Sequence, residues 1–487
     1  MSAHCPILVV VIPLLCAFFI SGVGWINKRL CFPAALVGLT LSAGLSVVLL
    51  LQVLDSGPLQ YKLGGWDPPW GIAYEVDRLN GLVLAVVSVL ALVNLIATHR
   101  SIQEELPDRV GAVYTLYVLF VTGLAGIVIT GDLFNLYVLL EVASLTSYAL
   151  IALGKDRAPL SSLNYVFMGT IGACFYLLGV GYLYIMTGSL NMDHIASLLP
   201  PLYDSSAILA AFIFCMVGVW IKMAFFPLHI WLPNAYTYAP SAVSSLIAPL
   251  MTKVMAYVMI RLVVSVFSTQ FAFAMVGLTN PVVWLSSLAI IMGAFFALTQ
   301  TNLKKMFTYI IVSEIGYMVG GAWLGNRAGM TGAVLHIMND AMMTLCLFLA
   351  AGNIFYRSRG LDWRHLQGLF KKMPFTMGAF VAGGLSVIGV PPTCGFFSKW
   401  YLLSGAVQAG HYGFMVALLA SSLINVVLFF RVIEMGYYGR ADPSVKEAPA
   451  DMVTPLLIVS AGLVAVGLYT GPIVTHVIQP FLPPGLG

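Results

Sequence analysis

Charge is scarce in this sequence: 9% of its 487 residues are Asp, Glu, Lys or Arg, against about 25% in ordinary soluble domains. There is too little polar material to cover a water-facing surface, which excludes a soluble globular protein. Redox and metal spacings are missing as well. The seven cysteines mostly fall inside apolar runs and form no CxxC or Cys/His cluster. Cysteine in such a run behaves as a small hydrophobe, so neither a disulfide framework nor an iron–sulfur site is indicated. GxGxxG after a strand, Walker and HExxH motifs are all missing, and nothing points to a catalytic centre, a cofactor, a bound metal or nucleic acid. The first apolar run, Pro6 to Trp25, lacks a basic leader and a clear small-residue cleavage site. It reads as a retained span rather than a signal peptide.

What the sequence does hold is apolar residues, 60% of the total. Long apolar runs recur at roughly 6–25, 31–54, 79–98, 111–129, 131–153, 161–187, 206–233, 241–265, 275–300, 306–325, 329–355, 374–406, 413–438 and 453–476. Each can cross the roughly 30 Å hydrocarbon core as a helix. The expected fold is an all-α integral membrane protein with about fourteen transmembrane helices. Its expected divisions are a three-helix segment at 1–110, five-helix blocks at 111–265 and 275–438, and a last helix in 439–487.

Lys and Arg favour cytoplasmic loops. With the N-terminus outside, inner loops hold fifteen basic residues, from Lys28 and Arg29 to Arg440 and Lys446, and outer loops hold Lys62, Arg78 and Arg327. That ratio predicts a multi-pass protein of the cell membrane with both termini outward. Lys304 and Lys305 read as inner-leaflet anchors, and Arg261 and Arg431 as helix-end residues that snorkel to the interface.

Charges deep in the spans need another explanation. One at bilayer depth costs about 3 kcal/mol or more, so it normally faces protein and serves a function. Glu141, Lys253, Glu314 and Asp340 fall mid-span, and His336 lies four residues before Asp340 on the same helix face. Lys222 and Lys399 sit in spans interrupted by Pro227 and Pro233 and by Pro391 and Pro392. Proline opens a helix turn, and paired broken helices in two halves of a transporter point to its ion path. Glu141 precedes Lys222 by 81 residues and Glu314 precedes Lys399 by 85. Each acid therefore lies two spans before a broken helix, which predicts two five-helix repeats of opposite orientation. The plainer reading is that buried pairs glue helices together. For Asp77 and Asp132, near outer span ends, a helix cap is the commoner role. His229, beside the first break, is a candidate for proton uptake from the inner side.

Four stretches carry a resemblance: TGDLFNLYVLLEVASLTSYAL (130–150), WIKMAFFPLHIWLPNAY (220–236), LMTKVMAYVMIR (250–261) and GVPPTCGFFSKW (389–400). They resemble the antiporter-like membrane subunits of respiratory complex I, membrane-bound hydrogenases and Mrp-type sodium/proton antiporters. GDLFN and LGVGYLYIMTGSLNMDHIASLL (178–199) look closest to the D-type chain of the Mrp antiporters. The resemblance implies a proton- or sodium/proton-translocating subunit with other membrane subunits as partners. In a redox assembly such as complex I or a hydrogenase it would be the translocase part. It assigns Glu141 and Lys222 as an acid–lysine pair, Lys253 as the central lysine, His336 as a bridging histidine and Lys399 as the second broken-helix lysine. The pattern departs at Asp340, where a second histidine is common, and at Glu314, usually neutral or imidazole. It departs again at Thr344 and Asn164, where lysines occur. Asp340, Glu314, His229 and Asp132 are therefore accessory candidates, the first two either stabilising a transferred charge or offering oxygen ligands to sodium.

Overall fold

A computed structural model describes residues 4–439, 442–483 and 486; Arg440, counted above among the inner-loop residues, lies outside them. The helices are α1 (Cys5–Ile26), α2 (Cys31–Ser56), α3 (Arg78–Glu105), α4 (Val110–Ile129), α5 (Leu133–Ala152), α6 (Ala158–Thr187), the short α7 (Met192–Leu198), α8 (Ser206–Met223) and α9 (Trp231–Tyr238). They continue as α10 (Ser241–Arg261), α11 (Thr279–Leu298), α12 (Leu303–Trp323), α13 (Arg327–Ser358), a turn α14 (Leu369–Lys372), α15 (Pro374–Ile388), α16 (Cys394–Gln408), α17 (Tyr412–Tyr438) and α18 (Ala450–Leu468). Twelve of these segments are long and apolar enough to cross a membrane. The polar-started α12 and the split α15–α16 pair bring the crossings to the expected fourteen. Between α2 and α3 a hairpin, β1 (Leu59–Lys62) against β2 (Ala73–Val76), covers one face of the bundle.

Apolar side chains on α1, α6 and α17, among them Phe18, Phe167, Ile185 and Leu423, are exposed. In a bilayer they meet lipid, where exposure carries no hydrophobic penalty. The interior is held by α10 and α13, whose apolar stretches are 89% and 94% buried. These two helices carry Lys253, His336 and Asp340, so their charges face protein from every side.

Both broken helices are present. The first half, α8, stops at Ala224, whose φ of 61° cannot continue a helix, and α15 stops at Gly389, with φ 94°. The chain then passes through Pro227 or Pro391–Pro392 before resuming. Five crossings separate α4 from α11, so α4–α10 and α11–α17 run in opposite directions. A local feature recurs with them. At the hairpin face the start of α5 pairs with a following loop, Leu133 N–H donating to Leu190 C=O at 2.9 Å, and at the opposite face Leu303, starting α12, does the same to Leu361 C=O at 2.9 Å.

Two expectations are corrected. Arg261 does not snorkel: it pairs with Asp77 at 2.6 Å while Asp77 also caps α3. Lys304 is no lipid anchor: it is buried and donates to the Ala239 carbonyl ending α9 at 2.6 Å.

Candidate functional site

Lys222 lies at the end of α8, wholly buried, and its ammonium donates to Glu141 Oε1 at 3.0 Å across the α5 interface. Two more acceptors sit one and two turns beyond Glu141 on the same face of α5: Ser144 Oγ at 2.9 Å and Tyr148 Oη at 3.4 Å. An ammonium has three donors, and all three are engaged.

Lys253 reaches from α10 to Asp340 on α13, Nζ to Oδ2 2.9 Å, with both side chains 2% exposed. Thr344, a turn past Asp340, donates to Asp340 Oδ1 at 2.8 Å and accepts from Lys253 at 3.3 Å. One turn back along α13, His336 Nε2 meets Glu314 Oε2 of α12 at 2.6 Å. Its Nδ1 lies 2.9 Å from Ser398 Oγ, beside Lys399 on α16. Among the described residues no carboxylate forms an ion pair with Lys399. It donates to the Val387 carbonyl at 2.6 Å, to Ser422 Oγ at 3.1 Å, and lies 4.9 Å above the Tyr317 ring. The Val387 carbonyl is available because α15 stops there. Tyr317 also stands edge-on to His336, centroids 5.3 Å apart, and shares a short hydrogen bond with Ser421.

The fold thus joins Lys253, Asp340, His336, Glu314, Ser398 and Lys399 into one file across α10, α13, α12 and α16. Glu141 and Lys222 form a second cluster, and among the described residues no hydrogen bond connects the two. Two accessory candidates stand apart. Asp132 caps α5, accepting from Asn135 N–H at 2.7 Å. His229 is buried in the α8–α9 break against the Phe226 ring, its Nδ1 without a partner.

In the repeat, Glu314 corresponds to Glu141 and Lys399 to Lys222 by spacing, but Glu314 and Lys399 do not pair. Glu314 is in contact with His336 instead, while Lys222 precedes its helix break and Lys399 follows its own. The hydroxyls of Ser144, Tyr148, Thr344, Ser398 and Ser422 were missed. Ser144 and Thr344 carried a signal, since each lies one turn from a mid-span acid.

In this file and its companion cluster, three carboxylates (Glu141, Glu314, Asp340) are set against three lysines (Lys222, Lys253, Lys399). The set is neutral when His336 is uncharged. The imidazole lies between Glu314 and the hydroxyl next to Lys399. Acids, lysines and hydroxyls buried within hydrogen-bond reach of one another form an arrangement suited to moving charge.

Comparison with known proteins follows the same line. Residues 130–425 match the family described as NADH:quinone oxidoreductase/Mrp antiporter, TM. The chain is 42% identical to NADH-quinone oxidoreductase subunit N of Desulforudis audaxviator, over 99% of both chains. It is 32% identical to antiporter subunit mnhD2 of Staphylococcus haemolyticus, over 96% of this chain and 93% of that one. Among solved structures, a chain of an archaeal membrane-bound sulfane sulfur reductase superposes with TM-score 0.91 at 27% identity, covering 98% and 96%. A chain of the Mrp complex from Dietzia sp. shares the fold with TM-score 0.89 at 22% identity, covering 98% and 96%.

Proposed function

Because the chain belongs to the NADH:quinone oxidoreductase/Mrp antiporter transmembrane family, we propose that it translocates protons through the buried file as one subunit of a multisubunit membrane complex. The observation that carries this reading is the charge-balanced set with His336 at its centre and no exposed member from Lys253 to Lys399. A lysine in a low-dielectric site changes its proton affinity when its carboxylate moves. Opening of the Glu141–Lys222 pair would release a proton toward Lys253, and the gap between the two clusters is the step that needs water or motion. Displacement at Lys253 frees Asp340 and drives charge onto His336, one turn away. Charge on His336 favours loss of the proton already on Lys399, an ammonium held by backbone carbonyls and a tyrosine face without a counter-carboxylate. Ser398 then passes the His336 proton to the neutral amine. Release there is favoured once a second proton arrives behind it.

The acids support protons over sodium as the cargo. Asp340 is ion-paired with Lys253 and Glu314 with His336. The basic-residue count supports the hairpin face outward and the opposite face cytoplasmic, in the cell membrane. The relatives carry names from both a complex I-like and an Mrp branch, so the D-type Mrp chain, expected from GDLFN, stands beside a complex I-like or hydrogenase-like subunit. Copurifying chains separate them: small hydrophobic partners alone indicate the antiporter, and iron–sulfur or nickel subunits the redox machine. The relay itself is tested with Lys222→Ala and Glu141→Ala, each assayed for ion transport in the assembled complex. Full coupling in both would remove it.

A further inference from the structure

We propose that a groove between α1 and α4, open at the face opposite the hairpin, binds an anionic phospholipid, with its phosphate on Lys28 and Arg109 and its acyl chains along α1. The site lies apart from the buried file and does not depend on the relay reading.

The groove exists because both helices carry small residues where they meet. Gly24 of α1 faces Gly111 of α4 so closely that a Cβ on Gly24 would come within 3.2 Å of Gly111 Cα. Ser21 and Ala112 continue the two walls, and with no large side chain to fill it the space opens to about 580 Å³. Trp25 stands at its edge, 92% exposed. An indole exposed at a span end sits at headgroup level in a bilayer. Leu15 and Phe18 are exposed as well, and positions 15, 18, 22 and 25 fall on one face of the helix. The ten residues from Trp25 back to Leu15 cover about 15 Å, half of the roughly 30 Å hydrocarbon core. The apolar stripe therefore has the length of one leaflet.

The other end of the groove is positive. Lys28 and Arg109 line it against a single acid, Asp108. Lys28 uses one of its three donors on the Asp108 backbone carbonyl at 3.2 Å. The Arg109 guanidinium has no hydrogen-bond or ion-pair partner among the described residues. Directly after it α4 begins, with no side chain capping its start. The first N–H groups of this 20-residue helix are thus left for another acceptor, an arrangement that suits phosphate. Deeper in the groove, Thr115 Oγ1 has no partner, whereas Thr98, Thr122 and Thr187 each donate to the carbonyl four residues back. Its hydroxyl is left for a ligand oxygen such as a glycerol ester.

Together these features select one occupant. A free phosphate would satisfy the cations and leave the apolar stripe bare, and an apolar partner helix would cover the stripe and strand the cations. A phospholipid answers both ends. Two cations against one carboxylate favour a headgroup of net negative charge, the class that basic pockets between spans bind on the cytoplasmic side.

The test uses the purified assembled complex and a phosphatidylglycerol with a diazirine in one acyl chain. On illumination it should label peptides within residues 5–30 and 107–119. Excess unlabelled phosphatidylglycerol should compete, and phosphatidylethanolamine and inorganic phosphate should not. Lys28→Gln/Arg109→Gln changes two exposed side chains outside the relay and should lower labelling of these peptides at least fivefold, with labelling elsewhere unchanged. Ala112→Phe, which fills the groove and keeps both charges, should do the same, so the proposal stays testable if either variant fails to assemble. Full labelling in both variants overturns it. So does equal competition by phosphate, which would mark a free-anion site, or by phosphatidylethanolamine, which would mark a site blind to headgroup charge. Absence of label from both segments would mean that a partner chain covers this face, and overturns it too.

Discussion

Replacing Asp340 by asparagine isolates the Lys253 pair with almost no change of volume. The ammonium and carboxylate are 2.9 Å apart and both 2% exposed, so their attraction is about 6 kcal/mol at an effective dielectric of 20. Desolvation of the two ions offsets much of that gain, and removing one member of a buried pair typically costs about 3–5 kcal/mol because the other charge is stranded. Thr344 and the Ala248 carbonyl stay as dipolar partners of Lys253, which argues for the lower end. Asp340→Asn should therefore destabilise the solubilised complex by about 3 kcal/mol, read as a lower unfolding midpoint, and cut proton transport in vesicles at least tenfold. The double variant Lys253→Met/Asp340→Leu removes both charges and replaces them with apolar volume, which is often neutral for stability. It should recover the midpoint and stay inactive. Recovery of transport along with stability would show that the pair only glues α10 to α13, and the reasoning for a relay through it would be refuted.

Other changes probe separate parts of the molecule. Glu314→Gln leaves His336 without its carboxylate at 2.6 Å; transport should fall at least tenfold in the same vesicle assay with assembly intact by size-exclusion chromatography. Gly389→Ala puts a Cβ on a backbone with φ 94° and 3.2 Å from Lys399 Cδ. A loss of about 1–3 kcal/mol is expected for such a conformation, measured as a lower unfolding midpoint together with reduced flux. Glu75 on the hairpin has its carboxyl pushed up to about 7, first by burial and then by the Asp193 charge. A carboxyl raised on folding contributes stability that is complete below its ordinary value near 4.5 and is lost as pH rises through about 7. Protection from hydrogen exchange across residues 59–76, taken relative to the intrinsic rate at each pH, should accordingly fall between those pH values, and Glu75→Gln should flatten that dependence.

The helical membrane fold was legible because apolar run length answers to bilayer thickness and needs no knowledge of neighbours. The broken spans were legible for a similarly local reason: a proline lacks its N–H wherever it sits. Glu141 with Lys222 could be paired only through the family resemblance, while the parallel placing of acid and lysine in two blocks pointed to the repeat. Glu314 could not be given a partner, because repeat spacing says which helices correspond and leaves open which side chains meet. Ser398 and Ser422 could not be singled out, since serines in apolar spans usually bond their own helix.

By itself, the sequence determined the number of the crossings, the two interruptions and the short set of ionisable groups buried among them. These follow from lengths, periodicities and the energetic penalty of charge in hydrocarbon. Only tertiary packing decided that Asp340 serves Lys253, that Glu314 serves His336, and that Lys399 rests on carbonyls without an acid. Helical periodicity turns a residue toward a face of its helix, but the partner across that face depends on the rotation, height and tilt of a second helix far away in the chain.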